Sequence, residues 1–359
     1  MINNLPFDAI EGTACIITGG LLNTIKAKTA HGLIRQSDRF KILGVIDEVS
    51  AGQDAGEVLD GNNRAIPVFD SILALTQSTD KPQYAIIGMT AKGGILPKEF
   101  YPTIKDCLKM GISIINGLHE VLGEIEEFAS ITKLNGGNIY DIRKPRSFKE
   151  LHFWTGKIKE VKSLKIGLLG TDCAMGKRTS SKLLVNALIK ENIRAHMVYT
   201  GQTGWLQGGK YGFIFDATPN DFISGELEHA VYECWENEKS EVIILEGQSS
   251  LRNPCGPCGS EFIISCELDA VVLMHAPGRK YYKDLVEYGK EIPDVSSELE
   301  LLKMYGVETI AIGINTMGLT KEQALEAKEE ISKETGLPVI LPLDDGMSTI
   351  VEIIKQRLK

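Results

Sequence analysis

The sequence predicts an α/β protein: an N-terminal Rossmann-like domain over residues 1–150, then a P-loop NTPase-like domain with a mostly parallel sheet over residues 151–359. Three observations carry this prediction. Short, continuous apolar runs alternate with longer stretches of helical period, the pattern of parallel strands covered on both faces. Gly, Asp or Asn follows the runs, at the carboxyl ends where open α/β sheets bind ligands. The run ending at Gly170 leads into a glycine-bounded loop, a Gly-Lys pair and a helix.

In the first half the strand-like runs are residues 14–18, 42–46, 84–89 and 112–115. They are followed by Gly19-Gly20, by Asp47, by Thr90 with Gly93-Gly94, and by Asn116-Gly117. Gly19-Gly20 does not complete a dinucleotide fingerprint, so NAD binding is not expected; Asp47 fits a ribose contact or a cap equally well. Residues 135–146 break the pattern with turn residues and the basic cluster Arg143-Lys-Pro-Arg146, and mark the approach to a domain boundary. The second series has runs at 166–169, 195–199, 242–245, 270–274, 309–314 and 339–341. Its last long helix starts at Thr320 with Gln323 placed for a capping box, turns Ala324, Leu325, Ala327 and Ile331 inward, and stops at Gly336.

The chain has 359 residues, with 39 Lys and Arg against 48 Asp and Glu, a net charge of 39 − 48 = −9. Its 43% hydrophobic and 24% charged content is that of a globular protein and excludes disorder or coiled coil. The acidic balance argues against a nucleic-acid partner, which requires a basic face. No run approaches the length of a membrane span, so no membrane partner is expected. The start, Met1 to Asp8, lacks a basic stretch followed by an apolar one, so no secretory signal is expected. Seven cysteines, an odd number, suit reduced thiols and a cytoplasmic location. Cys255-Gly-Pro-Cys258 stands alone, without the further ligands that a zinc site needs, and no residue is assigned to a metal.

The phosphate-binding pattern is Gly170-Thr-Asp-Cys-Ala-Met-Gly-Lys-Arg-Thr179. Gly170 and Gly176 bound a loop whose backbone N–H groups can converge on oxygen; Thr171, Asp172, Cys173, Ala174 and Met175 line it. Lys177 adds a full charge at the helix start, beside Arg178 and Thr179. The spacing is one residue longer than the usual P-loop, and Arg178 stands where Ser or Thr would hold Mg²⁺. The segment resembles dethiobiotin synthetase and its ATP-dependent relatives. That resemblance implies a metal-holding role for Glu246 and a purine-reading role for Asn315, with ATP and Mg²⁺ as ligands. Arg178 is the departure from it.

The whole chain resembles the two-domain P-loop family of D-glutamate N-acetyltransferase, long catalogued as a domain of unknown function. The resembling motifs are Lys28-Thr-Ala-His-Gly-Leu-Ile-Arg35, Val45-Ile-Asp47, the phosphate loop, Thr200-Gly-Gln-Thr-Gly204, Ser224-Gly-Glu226, Leu245-Glu-Gly-Gln248 and His275-Ala-Pro-Gly-Arg279. The resemblance implies acetyl transfer from acetyl-CoA to the amine of D-glutamate or a related acidic amino acid, the small-molecule substrate. The alternatives are an ATP- and Mg²⁺-dependent ligase or kinase, and a non-catalytic nucleotide sensor.

Acyl transfer to an amine needs a base, an oxyanion donor and cations for the substrate carboxylates. The catalytic candidates are Asp216 and Glu246, at or near strand ends, and His275, directly after a strand. Glu226 and Glu228 read as a solvated helix face. Gln202 and Thr203, in a loop with five glycines between 201 and 212, are candidate hydrogen-bond donors on a mobile substrate lid or cradle. Gln248, Arg252 and Arg279 are candidates to hold the carboxylates or CoA phosphates. Enzymes of this class and size often form symmetric oligomers, so a homo-oligomer is expected.

Overall fold

A computed structural model of the chain describes residues 9–359. The stretch Met1 to Asp8, in which no secretory signal is expected, lies outside the described residues. The chain divides into two compact units, one of Met1–Arg146 with Gln202–Lys210, the other of Ser147–Gly201 with Tyr211–Lys359.

The first unit carries strands β1 (Gly12–Ile17), β2 (Phe40–Ile46), β3 (Val68–Phe69), β4 (Tyr84–Ile87), β5 (Ser113–Asn116) and β6 (Ile139–Asp141). Its helices are α1 (Lys28–Arg35), α2 (Ala55–Asp60), α3 (Ile72–Ser78), α4 (Tyr101–Lys109) and α5 (Glu126–Asn135). The strands lie in the order β3-β2-β1-β4-β5-β6, all parallel, which is the doubly wound Rossmann order. The turn-rich stretch read as a boundary thus supplies an edge strand. Its last residue, Asp141, is buried because Asn116 Nδ2 and the N–H groups of Leu122 and Gly123 donate to its carboxylate.

The second unit runs β7 (Leu164–Gly170), α6 (Lys177–Lys190) and β8 (Ala195–Tyr199). The next helix, α7 (Gln202–Leu206), belongs to the first unit. The second unit resumes with β9 (Tyr211–Gly212), α8 (Asn220–Glu238), β10 (Val242–Glu246), α9 (Ser260–Ser265) and β11 (Ala270–His275). It ends with α10 (Val295–Met304), β12 (Thr309–Ile314), α11 (Lys321–Thr335), β13 (Val339–Ile340) and α12 (Ser348–Arg357). The sheet order is β13-β12-β11-β7-β10-β8-β9, again all parallel.

The continuous apolar runs are explained by two cores, one on each face of this sheet. Leu169, Ile243, Leu245, Val271 and Leu273 point to one face, packed with Leu227, Phe262, Leu302 and Ile331 from α8 to α11. Ile166, Leu168, Ile244, Val272 and Met274 point to the other, packed with Leu184, Leu188, Ile350 and Ile354 from α6 and α12. Alternate residues of every central strand are therefore apolar for different partners. Among the described residues no helix is long and apolar enough to cross a membrane.

Helix α11 begins with the expected Thr320–Gln323 capping box and ends at Gly336, whose φ is 69°. Leu325, expected inward, is exposed, since it lies one helical step off the face that Ala324 and Ile331 bury.

Glu226 and Glu228 are not a solvated face; both are buried in α8. Glu226 Oε1 accepts the His152 N–H at 2.8 Å and meets His152 Nδ1 at 2.9 Å. Glu228 accepts the N–H groups of Thr155 at 2.6 Å and Ile158 at 3.2 Å. The two carboxylates therefore fasten the entry segment of the second unit to α8. Gly225 allows this approach, because a Cβ there would meet the His152 carbonyl oxygen at 2.0 Å. An open helical Gly→Ala change gains about 1 kcal/mol from propensity. Here the overlap reverses the sign, and Gly225→Ala is expected to cost about 2 kcal/mol. Thermal denaturation checks this; an unchanged or raised Tm refutes the contact.

Candidate functional site

The sheet order of the second unit gathers the site. β7 lies between β10 and β11, with Leu168 paired to Glu246 and Gly170 paired to Met274. The last residues of both neighbours, Glu246 and His275, therefore flank the phosphate loop where it leaves β7. A Cβ at Gly170 would crowd the Met274 carbonyl oxygen at 3.1 Å and Lys177 Nζ at 3.3 Å, which explains the glycine. Gly176 has φ 91° as it opens α6, and Ala174 is left-handed at φ 54°, uncommon for a residue with a side chain.

Lys177 is buried, and its Nζ donates to the carbonyl oxygens of Asp172 and Ser249 at 2.7 Å each. Burial holds its pKa below the usual lysine value. Asp172 is 0% exposed and fully engaged: Asn253 Nδ2 donates to Oδ1 at 2.7 Å, and the Lys283 N–H to Oδ2 at 2.6 Å. Arg279 Nη2 lies 3.0 Å from the same Oδ2 and donates to the Cys173 carbonyl oxygen at 2.6 Å. Met175 is buried, and its Sδ lies 3.3 Å from Arg279 Nη2.

Thr171 Oγ1 and His275 Nδ1 are 2.9 Å apart. Burial, then the neighbouring Arg279 guanidinium, pushes the His275 imidazole down to about 4. Glu246 is buried with Oε2 accepting the Thr200 N–H at 3.2 Å, while Thr200 Oγ1 donates to the Glu246 carbonyl oxygen. Gln248 Nε2 donates to Thr200 Oγ1 at 3.0 Å. Asn315 Nδ2 donates to the Ala174 carbonyl oxygen at 3.3 Å, and its Oδ1 accepts the Met317 N–H. Its carboxamide thus shapes the loop. Arg178 and Thr179 lie half-buried in the first turn of α6, and Ser181 Oγ donates back to the Lys177 carbonyl oxygen.

The loop residues 170–179, Glu246, Gln248, His275, Arg279 and Asn315 therefore belong to one site. The other candidates are engaged by different partners. Arg252 pairs with the buried Glu298 at 2.6 Å and donates to Ser297 Oγ, so it fastens its loop to α10. Asp216 is exposed in a short 3₁₀ turn, Phe215–Ala217, rather than at a strand end. Gln202 and Thr203 are buried in α7, where Gln202 Oε1 accepts from Arg143 Nη2 at 3.0 Å and Thr203 Oγ1 lies 3.5 Å from Thr29 Oγ1. The segment Gln202–Leu206 of the glycine-rich stretch is a packed helix, and a turn follows it at 207–208. Trp205 is buried under the Arg39 guanidinium at 4.4 Å, and Arg39 Nε donates to the Trp205 carbonyl oxygen.

In the first unit Asp47 accepts from Thr18 Oγ1, the Leu22 N–H and the Ser50 N–H, closing its own loop. His31 Nε2 is 2.6 Å from the Leu22 carbonyl oxygen. Cys255 is exposed and Cys258 buried, and among the described residues no three His, Cys, Asp or Glu side chains converge as a metal site. Sequence reasoning missed Asn253, Ser249, Thr200 and Lys283. Thr200 stood in a motif without a role and meets Glu246 and Gln248, whereas Asn253 and Lys283 carry no motif and reach the loop only through the fold.

A model of the DUF1611 C-terminal P-loop domain matches residues 152–351, and one of the DUF1611 N-terminal Rossmann-like domain matches residues 48–145. A D-glutamate N-acetyltransferase of a Pseudoalteromonas species is 32% identical over 273 residues, covering 74% of this chain and 79% of that protein. Another, from Tritonibacter scottomollicae, is 25% identical over 301 residues, covering 81% and 88%. The crystal structure of a DUF1611 family protein from Anabaena variabilis superposes with a TM-score of 0.87 at 28% identity, covering 96% of this chain and 99% of that one. With both domain models matched in order and the fold shared end to end, the chain belongs to the DUF1611 family, a Rossmann-like domain followed by a P-loop domain.

Proposed function

We propose that this chain is an acetyl-CoA-dependent N-acetyltransferase acting on D-glutamate or a related acidic amino acid. The observation that carries the proposal is the phosphate loop with its buried Lys177, in a chain whose relatives bear that enzyme name. Coenzyme A presents a pyrophosphate and a 3′-phosphate. The loop N–H groups and the first turn of α6 would take phosphate oxygens, and so would the third N–H of Lys177 Nζ, beyond the two it gives to carbonyls. Arg279, on the loop's other side, adds a second cation.

In the transfer the substrate nitrogen attacks the thioester carbonyl, the tetrahedral oxyanion collapses, and the CoA thiolate leaves with its electron pair. The attacking nitrogen becomes cationic and acidic as the C–N bond forms. Glu246, a strand-end carboxylate beside the loop, is the proton acceptor. His275 stays neutral at working pH and serves as a hydrogen-bonding group for the oxyanion, oriented by Thr171. A neutral imidazole of such low basicity does not suit the role of base.

The direct test mixes the protein with acetyl-CoA and a panel of D- and L-amino acids and follows free thiol, with ATP and Mg²⁺ run in parallel. Thiol release that depends on D-glutamate or another acidic amino acid is expected. ADP formation in place of thiol release, or silence throughout, sinks the proposal. Two variants should separate binding from chemistry. Lys177→Ala is expected to weaken CoA binding about 10–100-fold, the worth of a charge-assisted hydrogen bond. Glu246→Gln should lower kcat about 10²–10⁴-fold with CoA affinity little changed.

His275 also makes stability depend on pH. Its folded pKa of about 4 lies below the unfolded value near 6.5, so the unfolded chain binds the proton more tightly. Its stabilising contribution is complete above pH 6.5 and is lost as the pH falls toward 4. The Tm of the native chain should therefore drop more steeply across that window than that of His275→Asn. Parallel Tm curves would show that the imidazole is not held neutral.

A further inference from the structure

We infer that the phosphate loop of this chain holds its ligand without a divalent cation, and that Asp172 is a positioning residue for the loop rather than a metal ligand. The inference shares the phosphate-loop assignment with the proposed function but does not depend on acetyl transfer.

The chemistry of the donor set does not fit Mg²⁺. That ion requires near-octahedral oxygen geometry and keeps several of its waters. Asp172 is 0% exposed, which leaves no room for a hydrated ion, and its oxygens already accept from Asn253, the Lys283 N–H and Arg279. A dication at Oδ2 would also lie against the Arg279 guanidinium, which is 3.0 Å from that oxygen. The second acid, Glu246, gives Oε2 to the Thr200 N–H. The hydroxyl that a P-loop offers directly after its lysine is absent, because that position is Arg178.

What Asp172 does is visible in its partners. Its carbonyl oxygen receives Lys177 Nζ, and its carboxylate joins residues from the 253 and 279–283 loops. Arg279, held there, also donates to the Cys173 carbonyl oxygen at 2.6 Å. One buried residue thus fixes the loop's backbone and aims two cations, Lys177 through its carbonyl oxygen and Arg279 through its carboxylate, supplying the order that a bound metal supplies elsewhere.

Isothermal titration of the full chain with CoA, and separately with ADP, in EDTA and in millimolar Mg²⁺ tests the first half. The expected Kd for CoA is the same in both buffers within about twofold; a gain of about tenfold or more with Mg²⁺ overturns the inference. Asp172→Asn and Arg279→Gln test the second half. Each should raise the Kd for CoA about tenfold or more, equally with and without Mg²⁺. Their double variant should be no more than about threefold worse than the worse single one. Losses that appear only with Mg²⁺, or that multiply in the double variant, overturn the positioning role. Should Asp172→Asn fail to fold, Asn253→Ala, which keeps the charge and removes one bond, replaces it in the same comparison. CoA binding in EDTA without acetyl transfer removes the proposed activity and leaves this inference standing. No binding of CoA or ADP in either buffer overturns both.

Discussion

Lys177 is buried, and a buried cation costs several kcal/mol unless oxygen atoms take the place of water. Two carbonyls do so, from Asp172 and from Ser249, and they belong to different strand-end loops. Satisfying one charge therefore fixes the backbone of both loops. The Asp172 side chain then ties a third segment, because its own charge is equally buried and is answered by Arg279 and by the Lys283 N–H. The site is a chain of desolvated charges, each of which dictates the position of the next. Such a network is costly when half made and rigid when complete.

That network exists only because the sheet is parallel and crossed. The chain leaves β7 through α6 to β8, which pairs with β10 and not with β7. β10 and β11 can then take both sides of β7, with Glu246 paired to Leu168 and Met274 paired to Gly170. His275 is far in sequence from Thr171, yet the strand register brings it to 2.9 Å, and the same register sets Glu246 on the other side of β7. Both end their strands at the carboxyl edge of the sheet, where open α/β sheets bind ligands.

The sequence made the central strands legible because burial on both faces writes them as uninterrupted apolar runs. It hid β3, β6 and β9, which are two or three residues long and lie at sheet edges, where a run has no length to show. The loop residues 170–179, Glu246 and His275 were readable as strand-end positions. The work of Asp172 was not, since its side-chain partners Asn253 and Lys283 lie 81 and 111 residues away. Glu226 and Glu228 were misread for the same reason. A buried carboxylate answered by backbone N–H groups some 70 residues off leaves no periodic trace. Gln202 and Thr203 looked like lid residues because glycines suggest mobility. Trp205 beneath Arg39 packs that segment instead.

The charge arrangement bears on which phosphate ligand the site favours. Transfer of a terminal phosphoryl group develops charge across bridging and terminal oxygens, and a metal ion bridging them is the usual means of neutralising it. A pyrophosphate that is only held, as in coenzyme A, develops no new charge during acyl transfer. Static cations are then sufficient, and fixed ones are better, because they lose no freedom when the ligand arrives. Lys177 and Arg279 are fixed in this sense by the bonds they make to loop carbonyls and to Asp172. On the proposed reading, with Arg178 in place of a metal-binding hydroxyl, the loop would grip phosphate rather than move it.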